Sequence, residues 1–153
     1  MTSDVFVLTG PIGSGKTTRL IDWASGKNEL KGIATPVVRG KRMFFDFNTQ
    51  AVFPMEASGD TERVLEIGRF RFSRKAFDEA ISILEKSSLT GCKYLVIDEI
   101  GPLELKGEGF HKILKKILNN DKRNFNLVLV IREGIFQDVL AHYYISDYKL
   151  LEL

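Results

Sequence analysis

The nine residues Gly10-Pro11-Ile12-Gly13-Ser14-Gly15-Lys16-Thr17-Thr18 constrain this chain more than any other stretch. They follow the apolar run from Val5 to Leu8. They precede Leu20, Ile21, Trp23 and Ala24, which read as a helix closed by Gly26. Gly10, Gly15, Lys16 and Thr17 complete the pattern G-x-x-x-x-G-K-S/T between a predicted strand and a predicted helix. Glycines let such a loop curl until successive backbone N–H groups point inward, and the helix N-terminus adds partial positive charge at the same place. That cradle suits phosphate oxygens. In it Lys16 reaches the β- and γ-phosphates of a nucleoside triphosphate, the Thr17 hydroxyl is a ligand for Mg²⁺, and Thr18 helps hold the α-phosphate. A plain glycine turn would require neither Lys nor Thr directly after its last glycine.

A parallel sheet is the expected frame for such a loop. "KYLVID" and "NLVLVI" are apolar runs of buried-strand type, and "YKLLEL" reads as a last strand. Between them lie amphipathic helices: Ser73 caps one running to about Lys86, Phe110, Ile113, Leu114, Ile117 and Leu118 mark a second, and a third runs from Glu133 to about His142. Alternating strands and helices predict an α/β fold with a mostly parallel sheet covered on both faces. Residues 32–72 break the rhythm and read as a hairpin-rich antiparallel insertion. It holds a turn at Arg39-Gly40-Lys41 and strands around Ala51–Met55 and Glu66–Phe72. With 153 residues, a single domain over 1–153 is expected.

A phosphate loop still needs an acid for its metal. "YLVIDEIG" supplies two, Asp98 and Glu99, at the end of an apolar strand. Ligands of open parallel sheets sit beyond the carboxyl ends of the strands. Asp98 therefore comes out beside the phosphate loop, placed to hold Mg²⁺ through water, and Glu99 is placed to orient a water against the γ-phosphate. The transition state also favours an arginine. Arg132 qualifies by position, directly after "NLVLVI".

These segments carry a resemblance. "VFVLTGPIGSGKTT", "GIATPVVRGKRMFFDF", "IGRFRFSRKAFDEAI" and "YLVIDEIGPLEL" follow one another as in a small family of P-loop nucleoside-triphosphatases, from Val5 to about Leu118. The stretch from Val96 to Leu105, with Glu104 after the two acids, is its most specific part. The resemblance implies slow, Mg²⁺-dependent hydrolysis of nucleoside triphosphates with little choice of base. It implies a nucleotide loop over Gly10 to Thr17, a metal aspartate at Asp98 and a water-activating glutamate at Glu99. It also implies that "NLVLVI" lies between the phosphate-loop strand and the acid strand. Arg69, in the shared stretch "IGRF", is a second arginine candidate on this ground.

Two other functions share the loop: a small-molecule or polynucleotide kinase, whose lid the insertion would provide, and a nucleotide-dependent switch. The guanine-selecting N-K-x-D sequence of switch GTPases is absent. A net charge of +2 gives no support to nucleic acid as a partner. "RFRFSRK" is explained by strand alternation, and Lys112, Lys115 and Lys116 by a solvated helix face. No apolar run reaches membrane-spanning length and no signal peptide stands at the start. The single Cys92 fits a reducing cytoplasm, and His111 and His142 stand apart in sequence with no zinc-ligand spacing.

Overall fold

The computed structural model describes residues 3–11, 14–59 and 62–153. In chain order these form β1 (Val5–Gly10), α1 (Lys16–Ser25), β2 (Leu30–Ala34), β3 (Val37–Val38), β4 (Lys41–Asp46) and β5 (Val52–Pro54). There follow β6 (Val64–Ile67), β7 (Phe70–Ser73), α2 (Arg74–Leu89), β8 (Tyr94–Ile100) and α3 (Pro102–Leu105). The rest is α4 (His111–Leu118), β9 (Asn126–Arg132), a 3₁₀ turn at Glu133–Ile135, α5 (Phe136–His142) and β10 (Lys149–Leu150).

The main sheet runs β10-β1-β9-β8-β2-β4-β3, with β5 added to β4. Its first five strands are parallel. β9 lies between β1 and β8, where the resemblance put it. Strand side chains alternate between faces. Val5, Val7, Leu95, Ile97, Leu127 and Leu129 therefore join the apolar faces of α2, α4 and α5 on one side. Leu8, Val96, Val128 and Val130 meet Leu20 of α1 on the other. This is the expected α/β fold, with helices on both faces.

The insertion is antiparallel, as read, but its boundary moves. Gly32, Ile33 and Ala34 belong to β2, which pairs in parallel with β8. Antiparallel pairing begins where β4 returns along β2. The piece read as one strand from Glu66 to Phe72 is a hairpin, β6–β7, because Gly68 turns the chain at φ 56°. Phe70 and Phe72 still share one side of β7, with their rings stacked 5.8 Å apart. Phe44, Met55 and Phe72 carry the insertion into the same core as Ile97 and Leu129. At the end of β7 the Ser73 hydroxyl accepts the Ala76 N–H at 3.1 Å, so α2 starts where the cap residue stands.

Gly32 is where backbone geometry decides the residue. Its φ is 127°, and a Cβ there would overlap the Val96 carbonyl of the neighbouring strand. Gly32→Ala is expected to destabilise the protein by about 2–4 kcal/mol. Gly26→Ala, at a helix end with φ −94° and open space around it, should stay within about 1 kcal/mol of wild type. Urea unfolding of both variants checks this, and a Gly32→Ala midpoint equal to that of Gly26→Ala would contradict it.

Candidate active site

β1 delivers the phosphate loop at the carboxyl edge of the sheet. Gly10, its last residue, pairs in register with Arg132, the last residue of β9. The Ser14 N–H donates to the Pro11 carbonyl at 3.2 Å, and Gly15 adopts the left-handed region at φ 78°. α1 then starts at Lys16, so the backbone N–H groups of its first turn open toward the loop. The Lys16 ammonium curls back to donate to the Gly10 and Pro11 carbonyls, each at 3.0 Å. Thr17 is half-buried and Thr18 is exposed. Ile12 and Gly13, both expected in the nucleotide loop, lie outside the described residues.

The acids leave β8 through a bulge. Ile97 pairs with Leu129 and Ile100 with Ile131, so Asp98 and Glu99 together oppose a single residue of β9. Glu99 absorbs the extra length in the left-handed region, at φ 64°. Asp98 is fully buried. Its Oδ2 accepts from the Thr17 hydroxyl at 2.9 Å, the Thr35 N–H at 3.0 Å and the Thr35 hydroxyl at 3.1 Å. Its Oδ1 has no hydrogen-bond partner among the described residues. Burial, and then the neighbouring Glu99 charge, push the Asp98 carboxyl up to about 6. A buried carboxylate with one bare oxygen, beside a threonine hydroxyl, is the hard-oxygen donor set that Mg²⁺ takes.

Glu99 turns to the insertion. Its Oε1 lies 3.1 Å from Nη1 of Arg42 on β4. Both side chains line a cleft of about 50 Å³ together with Gly101, Glu104, Phe70 and Arg132. Arg132 thus lines the same cleft as Glu99. Arg69 sits on the β6–β7 turn, with its guanidinium 5.9 Å from the Phe70 ring centroid, and is not among the residues lining this cleft.

The family model for NTPase matches residues 5–153. The chain belongs to that NTPase family. A nucleoside-triphosphatase THEP1 from Methanothermobacter thermautotrophicus is 36% identical over 124 residues, 75% of this chain and 70% of its own. Another THEP1, from Methanocaldococcus jannaschii, is 25% identical over 162 residues and is covered to 93%. The crystal structure of THEP1 from Aquifex aeolicus superposes with a TM-score of 0.76 at 24% identity, over 97% of this chain and 89% of that one. The solution structure of a human cancer-related nucleoside triphosphatase superposes at 0.71 with 20% identity, over 99% and 89%. These two likenesses carry the fold.

Within this NTPase-family chain, sequence reasoning missed two residues of the site. Thr35 directly follows β2 beside Asp98, and its signal was a threonine just past the carboxyl end of a strand next to the acid strand. Arg42 shares strand parity with the buried Phe44 and Asp46, so alternation alone would have turned it inward. His111 and His142, apart in sequence, are neighbours at 5.5 Å, and the Tyr143 hydroxyl lies 2.7 Å from His111 Nδ1. No group of three or more metal-ligating His, Cys, Asp or Glu side chains occurs among the described residues.

Glu104 holds the segment just beyond the acids. Its Oε1 accepts the Gly101 N–H at 2.7 Å and its Oε2 the Phe110 N–H at 2.9 Å. Gly109 lies in the left-handed region at φ 62°, and a Cβ there would crowd Glu104 Oε2. Burial raises the Glu104 carboxyl to about 7, against the pull of the two N–H donors, where an exposed glutamate titrates at 4.5. The folded state therefore keeps a proton that the unfolded chain releases. The stability this contributes is complete below about pH 4.5 and is lost as pH rises through about 7. Glu104→Gln offers one acceptor to two buried donors and should be less stable by about 1–3 kcal/mol near pH 5. That gap should narrow toward about pH 8 as only the wild type loses stability. Urea unfolding across this range checks it, and a gap that widens with pH would contradict it.

Proposed function

We propose that this chain hydrolyses nucleoside triphosphates to diphosphate and phosphate with Mg²⁺, and that Glu99 directs the attacking water. One observation carries the reading: Asp98 Oδ2 is bonded to the Thr17 hydroxyl in the first turn of α1, while its Oδ1 has no partner among the described residues and Glu99 follows on the same bulge. Thr17 and Asp98 would hold the metal, Asp98 through water. When bound, Mg²⁺ supplies positive charge to the β- and γ-phosphate oxygens.

The chain's own residues supply the rest. Backbone N–H groups of the loop and of the first turn of α1 donate to the phosphates, aided by the helix dipole. The Lys16 ammonium exchanges its two carbonyl partners for β- and γ-phosphate oxygens. Glu99 accepts a hydrogen bond from the nucleophilic water at Oε2, since Oε1 already meets Arg42. As the water oxygen bonds to the γ-phosphorus, the bond to the β-phosphate oxygen breaks and Glu99 takes up the released proton. Arg132, beside Gly10 in register, adds positive charge where the γ-phosphoryl group sits. A cytoplasmic setting, where nucleoside triphosphates and Mg²⁺ abound, fits this chemistry.

Phosphate release from ATP and GTP, with and without Mg²⁺, is the test. Wild type should release phosphate with no added acceptor, and chelation with EDTA should stop it. Glu99→Gln is expected to lower kcat by about 10²–10⁴-fold while leaving nucleotide affinity near wild type. Turnover of Glu99→Gln at the parent rate, or release that requires an added acceptor, would overturn the reading. Lys16→Ala should instead abolish binding of a fluorescent nucleotide analogue, since it removes the ammonium that meets the phosphates.

A further inference from the structure

The Arg42–Glu99 pair joins two parts of the molecule that are otherwise held very differently. Arg42 sits on a firmly anchored strand. Its N–H donates to Glu56 Oε2 at 2.9 Å, its carbonyl accepts the Met55 N–H at 3.2 Å, and it pairs in register with Val37 of β3. Next to it along the inward side, Phe44 is fully buried against Phe77 and Phe110. Glu99, by contrast, is the bulged residue of β8, in a backbone region where a side chain other than glycine is strained. Its carboxylate lies beside that of Asp98, whose charge repels it. A carboxylate so placed needs an outside hold to keep one orientation.

We infer that Arg42 is the positioning residue for Glu99: its guanidinium fixes Oε1, draws the carboxylate away from Asp98 and leaves Oε2 facing the water to be activated. The inference rests on the proposed role of Glu99 and adds what sets its geometry. The pair is only partly screened, with the Arg42 side chain 25% exposed and that of Glu99 31%. Pairs of this exposure contribute little to stability. Misplacing a catalytic group by about an ångström, however, lowers turnover about 10²-fold. The expected effect of losing Arg42 is therefore on rate far more than on folding. The antiparallel insertion, which carries no phosphate-loop residue, thereby takes part in the reaction through one side chain.

A double-mutant cycle on the full chain tests this, with kcat and KM for ATP measured in wild type, Arg42→Ala, Arg42→Lys, Glu99→Gln and the double variant Arg42→Ala/Glu99→Gln. Arg42→Ala should lower kcat by about 10- to 100-fold with KM changed less than about 3-fold. Arg42→Lys, which keeps the charge and the strand, should recover about 5-fold or more of that loss. In the Glu99→Gln background, Arg42→Ala should add no further loss. Equal losses from Arg42→Ala in both backgrounds, or a rise in KM with kcat unchanged, would overturn the inference while leaving Glu99 in its role. An unaffected Glu99→Gln would overturn both. Should Arg42→Ala fail to fold by urea unfolding, the same cycle run with Arg42→Lys decides between these outcomes.

Discussion

Everything at this site turns on a carboxylate taken entirely out of water. Asp98 brings a charge to the edge of an apolar sheet, where desolvation alone is unfavourable by several kcal/mol before compensation. Three donors on Oδ2 offset part of this, and they come from two separate places, the start of α1 and the residue just after β2. The other oxygen has no hydrogen-bond partner among the described residues. A group held for stability alone would have both oxygens satisfied or would be replaced by an apolar side chain. In the proposed function, Oδ1 is the oxygen that faces the metal and its water.

The topology explains why these groups meet. In the order β1-β9-β8-β2, all four strands are parallel, so their carboxyl ends share one edge. The loop after β1, the acids ending β8 and the threonine after β2 must then cluster there, although Thr17 and Asp98 are far apart in sequence. The β8 bulge adds one residue without disturbing the core: Ile97 and Ile100 both remain in the same apolar cluster. Beyond it Glu104 ties Gly101 and Phe110 together, so the chain leaves the acids along one defined path. Strain at Glu99 is borne because packing on both sides over-determines it.

The phosphate loop and the acid strand were legible because each is local: glycine spacing, an apolar run and the residues that follow it occupy contiguous sequence. The order of strands in the sheet came from resemblance, since no local pattern reveals which strand neighbours which. Arg42 and Thr35 were hidden for the same reason. Their partners are Glu99 and Asp98, far along the chain, and only the closing of β4 and β8 onto β2 brings them together. A single strand over Glu66–Phe72 rests on the alternation of Arg69, Phe70, Arg71 and Phe72 alone, whereas the shift of apolar parity between Ile67 and Phe70 marks the turn at Gly68. A break in the helix–strand rhythm at Gly32 suggests the start of the insertion, whereas its parallel register with Val96 makes it part of the main sheet.

The most direct measurement is a calorimetric titration of ATP into Asp98→Asn, with and without Mg²⁺, beside a thermal unfolding scan of the same variant. An asparagine can present its carbonyl to the three donors now on Oδ2 and its amide where Oδ1 stands bare. Asp98→Asn is expected to unfold at a midpoint at or above that of wild type and to bind nucleotide with an affinity that Mg²⁺ no longer strengthens. Asp98→Asn that kept the full Mg²⁺ dependence would show that this carboxylate is not the metal's anchor.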